Sequence, residues 1–425
     1  MSITPRVSCF EHEHVRDFSD AQLAALQRIA KVLPPGAIEW FGSREVKFQQ
    51  FCGLIPLGDT TLEVLPKIDG DQTHGKDEDF EKVRSRTALI SMLNFVGDFR
   101  ITEVQRANAA SQNTLLDFFI RLFADEVATI AHRGLPRRYE VIEDIPAALR
   151  GRLDLPRLLR QSPAQQHRIP CRYDELTINT LICRILKAAA ERAWRVARYS
   201  ETRRRVGQVL FLLDEITDTR GITAADVARV QPDRTTQRFE RVLKLAKWLL
   251  EECAPDTQVG KTPSWGLLFD MNLLFERCVQ RHLQLQLPGY VVSFQKPQLN
   301  LFNEPQKVTL KPDILIKKMG GGQEVVAIVD AKWKMLERDN ISPADVYQMT
   351  AYRTAYRCDR LALVYPQPHG KDSDWCTRWE RTGEDAFSLD ICRLAVPAGE
   401  KCEFSGEKKW GWLNELDELA LRVAA

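Results

Sequence analysis

The segment from Pro312 to Lys332 constrains the fold of this chain more than any other, because it reads as two apolar strands joined by a glycine-rich turn (PDILIKKMGGGQEVVAIVDAK). Partners in an antiparallel hairpin keep a constant sum of residue numbers, so pairing Asp313 with Asp330 centres the turn at Gly321-Gly322. Directly opposed residues have Cβ atoms about 4.5–5.5 Å apart. The pattern therefore predicts that the two aspartates face each other.

Two carboxylates at this separation can both reach one hard cation that prefers oxygen ligands. Lys332 follows Asp330 at i+2 and is predicted to project from the same face. Residues 325–329 (VVAIV) are apolar on both faces, which is typical of a central strand. An acid and a lysine at the end of such a strand are costly to bury unless they are paired or bind a metal. The alternative is an ordinary hairpin with a surface ion pair between Asp330 and Lys332.

The sequence before this hairpin predicts a helix from Thr262 to Leu283, with Pro263 near its start. Glu276 lies on this helix among apolar residues and is a candidate third carboxylate. The alternative for Glu276 is an exposed helical side chain paired with a nearby arginine such as Arg277.

The sequence after the hairpin predicts a second helix, which Ser342 caps and Pro343 begins. Gln348 and Tyr352 then share one helical face at i, i+4. Residues 360–366 (RLALVYP) follow as another buried strand.

The resulting order of helix, strand, strand, helix and strand resembles the core of the PD-(D/E)xK nuclease superfamily. More narrowly, the chain resembles McrC, the nuclease subunit of McrBC-type modification-dependent restriction systems. The segments that carry the resemblance are FDMNLLFE (269–276), Pro312-Asp313, DAKWK (330–334), DVYQMTAY (345–352), GLIPLGDTTLEVLPKI (53–68), LRGRLD (149–154) and CRYDELTINT (171–180). Trp333 departs from the pattern, which has Tyr at this position.

The resemblance implies an α/β (α+β multidomain) fold with a C-terminal PD-(D/E)xK nuclease core, whose mixed central sheet is flanked by helices. A mixed N-terminal domain and a helical middle region precede this core. We expect an N-terminal domain at 1–155 that docks on the partner GTPase, a mainly helical connecting domain at 156–260 and the nuclease domain at 261–425. The linker is predicted at 252–264, where Pro, Gly and polar residues separate two helices.

The resemblance also implies a function, namely DNA cleavage with Mg²⁺, which Mn²⁺ can replace. Asp313 and Asp330 are the expected metal ligands, with help from Glu276. Lys332 is expected to orient the attacking water or to neutralise developing charge, while Gln348 and Tyr352 position the metal site or the phosphate. The expected partners are DNA and a McrB-like AAA+ GTPase hexamer, which the N-terminal part of the chain stimulates.

The composition sets further limits. The net charge of this 425-residue chain is only +2, so any affinity for DNA must come from local basic patches such as the arginine-rich segments at 192–205 and 234–247. The alternative for each segment is a solvated helix face balanced by nearby glutamates.

The ten cysteines form no Cys-x-x-Cys pair, and neither a signal peptide nor an apolar run of membrane-spanning length is evident. We therefore expect a cytoplasmic protein with no membrane contact.

The segment VGKT (259–262) ends like a phosphate-binding loop, but Pro255 stands where that loop requires glycine. We therefore expect that the chain hydrolyses no nucleotide itself. Two other functions stay open from the sequence. One is a stand-alone repair nuclease of the same superfamily, and the other is an inactive scaffold that activates a motor NTPase.

Overall fold

A computed structural model describes residues 7–16, 18–31, 33, 35–57, 60–68, 78–97, 114–144, 149–160, 169–197, 199–217, 219–231, 236–252, 267–295, 299–302, 308–319, 324–336, 340–367, 375–381 and 387–396. The predicted turn at Gly321-Gly322, Pro263 and most of the predicted linker lie outside these residues.

The described helices are α1 (Asp20–Ala30), α2 (Glu78–Val96), α3 (Leu115–His132), α4 (Leu155–Leu159), α5 (Leu181–Val196), α6 (Ser200–Leu212), α7 (Glu240–Glu252), α8 (Met271–Gln286) and α9 (Pro343–Tyr356), with short 3₁₀ helices at Ala224–Arg229 and Gln237–Phe239. The described strands are β1 (Val7–Phe10), β2 (His14–Val15), β3 (Ile38–Phe41), β4 (Glu45–Phe48), β5 (Phe51–Leu57), β6 (Thr60–Leu65), β7 (Arg138–Asp144), β8 (Arg152–Leu153), β9 (Cys171–Thr177), β10 (Leu267–Asp270), β11 (Tyr290–Phe294), β12 (Leu299–Phe302), β13 (Val308–Leu310), β14 (Ile314–Lys318), β15 (Val325–Ala331), β16 (Arg360–Gln367), β17 (Trp375–Arg381) and β18 (Phe387–Ala395). This mixture of sheets and helices confirms the predicted α+β class.

The chain forms two compact units, one of residues 1–115 and 265–425 and the other of residues 116–264. These units group residues differently from the three consecutive segments expected from the sequence, because a strand near residue 270 pairs with the N-terminal region. The functional division into three segments stays a prediction.

The second unit is mainly helical and also contains a three-stranded antiparallel sheet in the order β7-β9-β8. Helices α5, α6 and α7 pack together around buried side chains such as Ile185, Leu186 and Leu249. The Phe119 and Trp248 rings meet nearly edge to face, with their centroids 5.6 Å apart.

The first unit contains a six-stranded mixed sheet in the order β11-β14-β15-β16-β18-β17. Strand β15 lies in its interior, antiparallel to β14 and parallel to β16. Residues Ala327 to Ala331 of β15 are all buried, as the apolar pattern predicts for a central strand. Helix α9 packs on the face of the sheet that carries Leu315 and Ile328.

A second sheet of the same unit has the order β1-β6-β5-β10. Strand β10 pairs with β5 from Leu267↔Leu54 to Asp270↔Phe51. The backbone N–H of Met271 then donates to the carbonyl of Gln50 at 2.8 Å. This pairing attaches the entry to the C-terminal region directly to the N-terminal sheet.

The prediction of one helix from Thr262 to Leu283 was wrong at its start. The helix begins at Met271, and Asp270 is its N-cap, accepting from the backbone N–H groups of Asn272 and Leu273 at 3.0 and 3.2 Å. A short apolar run such as LLFD fits either a helix or a buried strand, so its pairing with β5 decides between them.

Candidate metal centre

The hairpin of β14 and β15 brings the two aspartates together in the predicted register. The observed pairs Ile314↔Val329, Leu315↔Ile328 and Ile316↔Ala327 keep the constant sum that places Asp313 opposite Asp330. An irregularity after Ile316 shifts the register toward the turn, but it lies away from the aspartates. The charges of the two carboxyl groups act on each other, and the backbone N–H of Ala331 donates to Asp313 Oδ2 at 2.9 Å.

Asp330 is completely buried, with 0% of its surface exposed. Its Oδ2 forms an ion pair with Lys332 Nζ at 2.6 Å. Burial raises the pKa of Asp330, and Lys332 opposes this effect. Burial alone would lower the pKa of Lys332, but the adjacent Asp330 and Asp313 raise it above its usual value. Since Asp330 is buried and Lys332 is half-buried, the pair is not the surface ion pair of the alternative.

Asp313 is half-buried, and its pKa is raised from an ordinary value of 3.8 to about 8. Burial is the main cause, and the negative charges of Asp330 and Glu276 add to it. The positive charge of Lys332 alone therefore does not balance the negative charges of the carboxylates around Asp313. A second positive charge would allow Asp313 and Asp330 to ionise together.

Helix α9 supplies the other predicted polar groups. As predicted, it begins at Pro343 after Ser342, although the Ser342 side chain makes no capping hydrogen bond. Lys332 Nζ donates to Gln348 Oε1 at 3.1 Å, and Gln348 Nε2 donates to the Tyr352 hydroxyl at 2.7 Å and to Asp330 Oδ1 at 3.5 Å. The Tyr352 hydroxyl donates to the carbonyl of Lys311 at 3.1 Å. Gln348 and Tyr352 thus share one face and contact the acid–lysine pair.

Glu276 is half-buried on α8, and its Oε2 accepts from Gln295 Nε2 at 2.9 Å. Burial raises the pKa of Glu276, and the charges of Asp330 and Asp270 raise it further. Gln295 has a positive φ of 50° and also donates its backbone N–H to the carbonyl of Asp313 at 2.8 Å. Glu276 therefore influences the two aspartates electrostatically while Gln295 holds its carboxylate.

Sequence reasoning missed a second layer of polar side chains. Lys334 Nζ lies 2.5 Å from Asp345 Oδ2, which also accepts from the Tyr365 hydroxyl at 2.9 Å. Lys334 follows Lys332 by two residues and Asp345 precedes Gln348 by three, so strand and helix periodicity could have identified them. No comparable signal marks Gln295, which approaches Glu276 only in the folded chain.

Among the described residues, no group of three or more His, Cys, Asp or Glu side chains is placed to hold a metal ion. The aspartate pair nevertheless fits Mg²⁺, which proteins bind through one or two carboxylates together with water and substrate phosphates. The donors are hard oxygens, and burial is the main cause of their raised pKa values, so a bound cation would favour the ionised carboxylates that burial disfavours.

A family model described as McrBC 5-methylcytosine restriction system component matches residues 46–366. The chain belongs to this family. The matched McrBC region contains all six predicted site residues, Glu276, Asp313, Asp330, Lys332, Gln348 and Tyr352. A comparison with curated proteins finds no match.

Two solved structures share the fold of this McrBC family member. One is a refined half-complex from the tetradecameric assembly of Thermococcus gammatolerans McrB AAA+ hexamers with bound McrC. The matching chain is 22% identical, with a TM-score of 0.76 over 98% of this chain and 100% of that chain. The other is a cryo-EM structure of the Thermococcus gammatolerans McrBC complex, with 24% identity and a TM-score of 0.50 over 67% of this chain and 88% of that chain.

Within the described part of the chain, none of the helices combines the length and apolar character that a membrane span requires.

Proposed function

We propose that this chain is the DNA endonuclease subunit of a McrBC-like modification-dependent (type IV) restriction system. It would hydrolyse DNA phosphodiester bonds with Mg²⁺ through a PD-(D/E)xK core when assembled with an AAA+ GTPase that translocates on DNA. The observation that carries this proposal is the group formed by half-buried Asp313, buried Asp330 and half-buried Lys332 at the end of a central strand, with Gln348 hydrogen-bonded to Lys332.

Asp313 and Asp330 would hold the metal, and Glu276 is a further carboxylate whose charge acts on Asp313. When bound there, Mg²⁺ would supply a water of lowered pKa and would stabilise the negative charge that develops during hydrolysis. Lys332 is held by Asp330 and Gln348 and carries the positive charge that orients the attacking water or offsets developing charge. Gln348 and Tyr352 keep Lys332 in place, because they connect it to the backbone of Lys311.

The solved complexes contain McrB AAA+ hexamers with bound McrC, and we propose an equivalent partner for this chain. The sheet of the second unit carries an exposed apolar strip formed by Tyr139, Val141 and Leu176, which are 70%, 49% and 45% exposed. Tyr139 pairs with Leu176 across β7 and β9, and Val141 lies two residues from Tyr139, so the three share one face. Contiguous exposed apolar surface of this kind marks protein interaction sites. Tyr139 and Val141 also lie within the segment 1–155 that was expected to dock on the GTPase.

Substitution of the metal-centre residues tests the proposed cleavage. In a plasmid assay with methylated DNA, Mg²⁺, GTP and the AAA+ partner, we expect Asp330→Asn and Lys332→Ala each to lower the cleavage rate at least about 10²-fold, since metal binding and charge stabilisation are lost. Lys318→Ala is the matched control, because Lys318 is a half-buried lysine at the far end of β14.

Binding to the partner and stimulation of its GTPase should be unchanged in all three variants. Wild-type cleavage by folded Asp330→Asn protein would refute the assignment. Full GTPase stimulation with no cleavage by the wild-type protein would instead indicate an inactive scaffold.

A further inference from the structure

Glu11 is a buried carboxylate of the N-terminal sheet that lies outside the candidate metal centre. It follows β1, only 1% of its surface is exposed, and burial raises its pKa to about 7. Its Oε1 accepts from Trp333 Nε1 at 2.8 Å and from the backbone N–H of Lys67 at 3.0 Å. Burying an ionised carboxylate is costly unless it is hydrogen-bonded. The hydrogen bonds of Glu11 therefore show which groups it holds in place, namely the indole of Trp333 and the backbone of Lys67.

Trp333 lies between Lys332 and Lys334, and its side chain points away from theirs. The two lysines contact Gln348 and Asp345 on α9. The indole of Trp333 instead reaches Glu11 and packs against Phe275 of α8, with ring centroids 5.4 Å apart.

The backbone around Trp333 is also held in place. The N–H of Lys332 donates to the carbonyl of Val364 at 2.8 Å, and the N–H of Lys334 donates to the carbonyl of Lys332 at 2.9 Å. The side chains of Lys332 and Lys334 lie toward α9, whereas the indole of Trp333 lies toward Glu11 and Phe275, so a rotation of the backbone at Trp333 would move all three side chains away from their contacts. The hydrogen bond from Trp333 to Glu11 restrains that rotation.

We propose that Glu11 is a positioning residue for the nuclease centre, acting through Trp333 to fix the backbone that carries Lys332. This inference rests on the proposed nuclease function. Residues that support a catalytic group without touching the substrate commonly change activity by about 10- to 100-fold when they are replaced. Glu11 would act in this way from the N-terminal sheet, although it precedes Lys332 by more than 300 residues in the chain.

Three variants test the hydrogen bond. Glu11→Ala removes the acceptor, Trp333→Phe removes the donor while keeping a ring against Phe275, and Glu11→Gln keeps an acceptor oxygen for the indole. With the AAA+ partner, methylated DNA and Mg²⁺, we expect Glu11→Ala and Trp333→Phe to lower kcat for cleavage by about tenfold or more, with little change in KM for DNA. Glu11→Gln should retain cleavage close to wild type, and all variants should stimulate the GTPase normally.

The double variant Glu11→Ala/Trp333→Phe should lose no more activity than the worse single variant, because both changes remove the same interaction. A folded Glu11→Ala protein with wild-type kcat would overturn the inference, as would equal loss in Glu11→Gln and Glu11→Ala. If Glu11→Ala fails to fold, Trp333→Phe decides, since it preserves the carboxylate and most of the packing. Absence of cleavage by the wild-type complex would refute the proposed function itself, whereas equal cleavage by wild type and variants would refute only the role of Glu11.

Discussion

At the scale of single residues, the centre depends on how Asp313 and Asp330 share a buried space. Their spacing in the sequence predicted that they face each other, and the observed register agrees. The sequence could not indicate how strongly burial favours a proton on Asp313, because that depends on the helices and strands packed around it. Burial makes the ionised form of both aspartates unfavourable, and a bound cation would offset this cost.

Asp313→Asn is expected to stabilise the metal-free protein at pH 8. The folded carboxyl holds its proton up to about pH 8, whereas the unfolded carboxyl releases it near 3.8. The unfolded state therefore binds fewer protons between these values, and the free energy of unfolding falls as pH rises through this range. Asn removes this effect and keeps an oxygen that accepts from the N–H of Ala331. We therefore expect the free energy of unfolding at pH 8 to rise by roughly 1–3 kcal/mol, or Tm to rise by several degrees.

Thermal unfolding in EDTA at pH 5 and pH 8 measures this gain. The Tm difference between variant and wild type should grow toward pH 8, and added Mg²⁺ should raise the Tm of the wild-type protein more than that of the variant. A Tm difference that does not change with pH would contradict the assigned protonation of Asp313.

At the scale of elements, the residues that follow strand β15 contact one face of helix α9. Lys332 and Lys334 are two residues apart in the chain. They contact Gln348 and Asp345, which are three residues apart on the helix. The arginine-rich segment at 192–205 is divided between α5 and α6, and Arg204 and Arg205 pair with Glu201 and Asp125. Its role in DNA binding stays a prediction.

The apolar strip on β7 and β9 is expected to bind the AAA+ partner. In Tyr139→Ser/Val141→Thr protein, we expect GTPase stimulation to fall at least about tenfold, because exposed aromatic and branched side chains often dominate such interfaces. Phe211→Ser is the matched control, since Phe211 is 82% exposed on α6 of the same unit and lies outside the strip. Titration of the partner GTPase with each variant measures the effect. Equal stimulation by wild type and the strip variant would place the docking surface elsewhere.

At the scale of the whole molecule, the first unit joins segments from both ends of the chain. Pairing of β10 with β5, the contact of Met271 with Gln50 and the bond of Trp333 to Glu11 all connect residues before 116 to residues after 264. Helix α2 adds a buried hydrogen bond from Cys278 Sγ on α8 to the carbonyl of Met92. The six-stranded sheet and the N-terminal sheet therefore belong to one folded unit.

This organisation predicts that residues 261–425 do not fold independently. Without residues 1–115, strand β10 loses its partner β5 and α8 loses its packing against α2. We expect the isolated fragment to lack a cooperative thermal transition, whereas co-expressed fragments 1–115 and 265–425 should co-purify and unfold cooperatively. Circular dichroism and size-exclusion chromatography distinguish the two results. A cooperative transition in the isolated C-terminal fragment would contradict the prediction and support a separate C-terminal domain.

The sequence by itself determined the β14–β15 register, the start of α9 and the shared face of Gln348 and Tyr352, because these depend on backbone periodicity and on contacts between nearby residues. Only the tertiary structure decided that residues 267–270 form a strand, that Gln295 holds Glu276 and that Glu11 reaches Trp333. Each of these depends on surfaces from distant parts of the chain, and local preference cannot choose among partners that only folding brings together. The protonation of Asp313 belongs to the same group, since burial by the whole unit sets it.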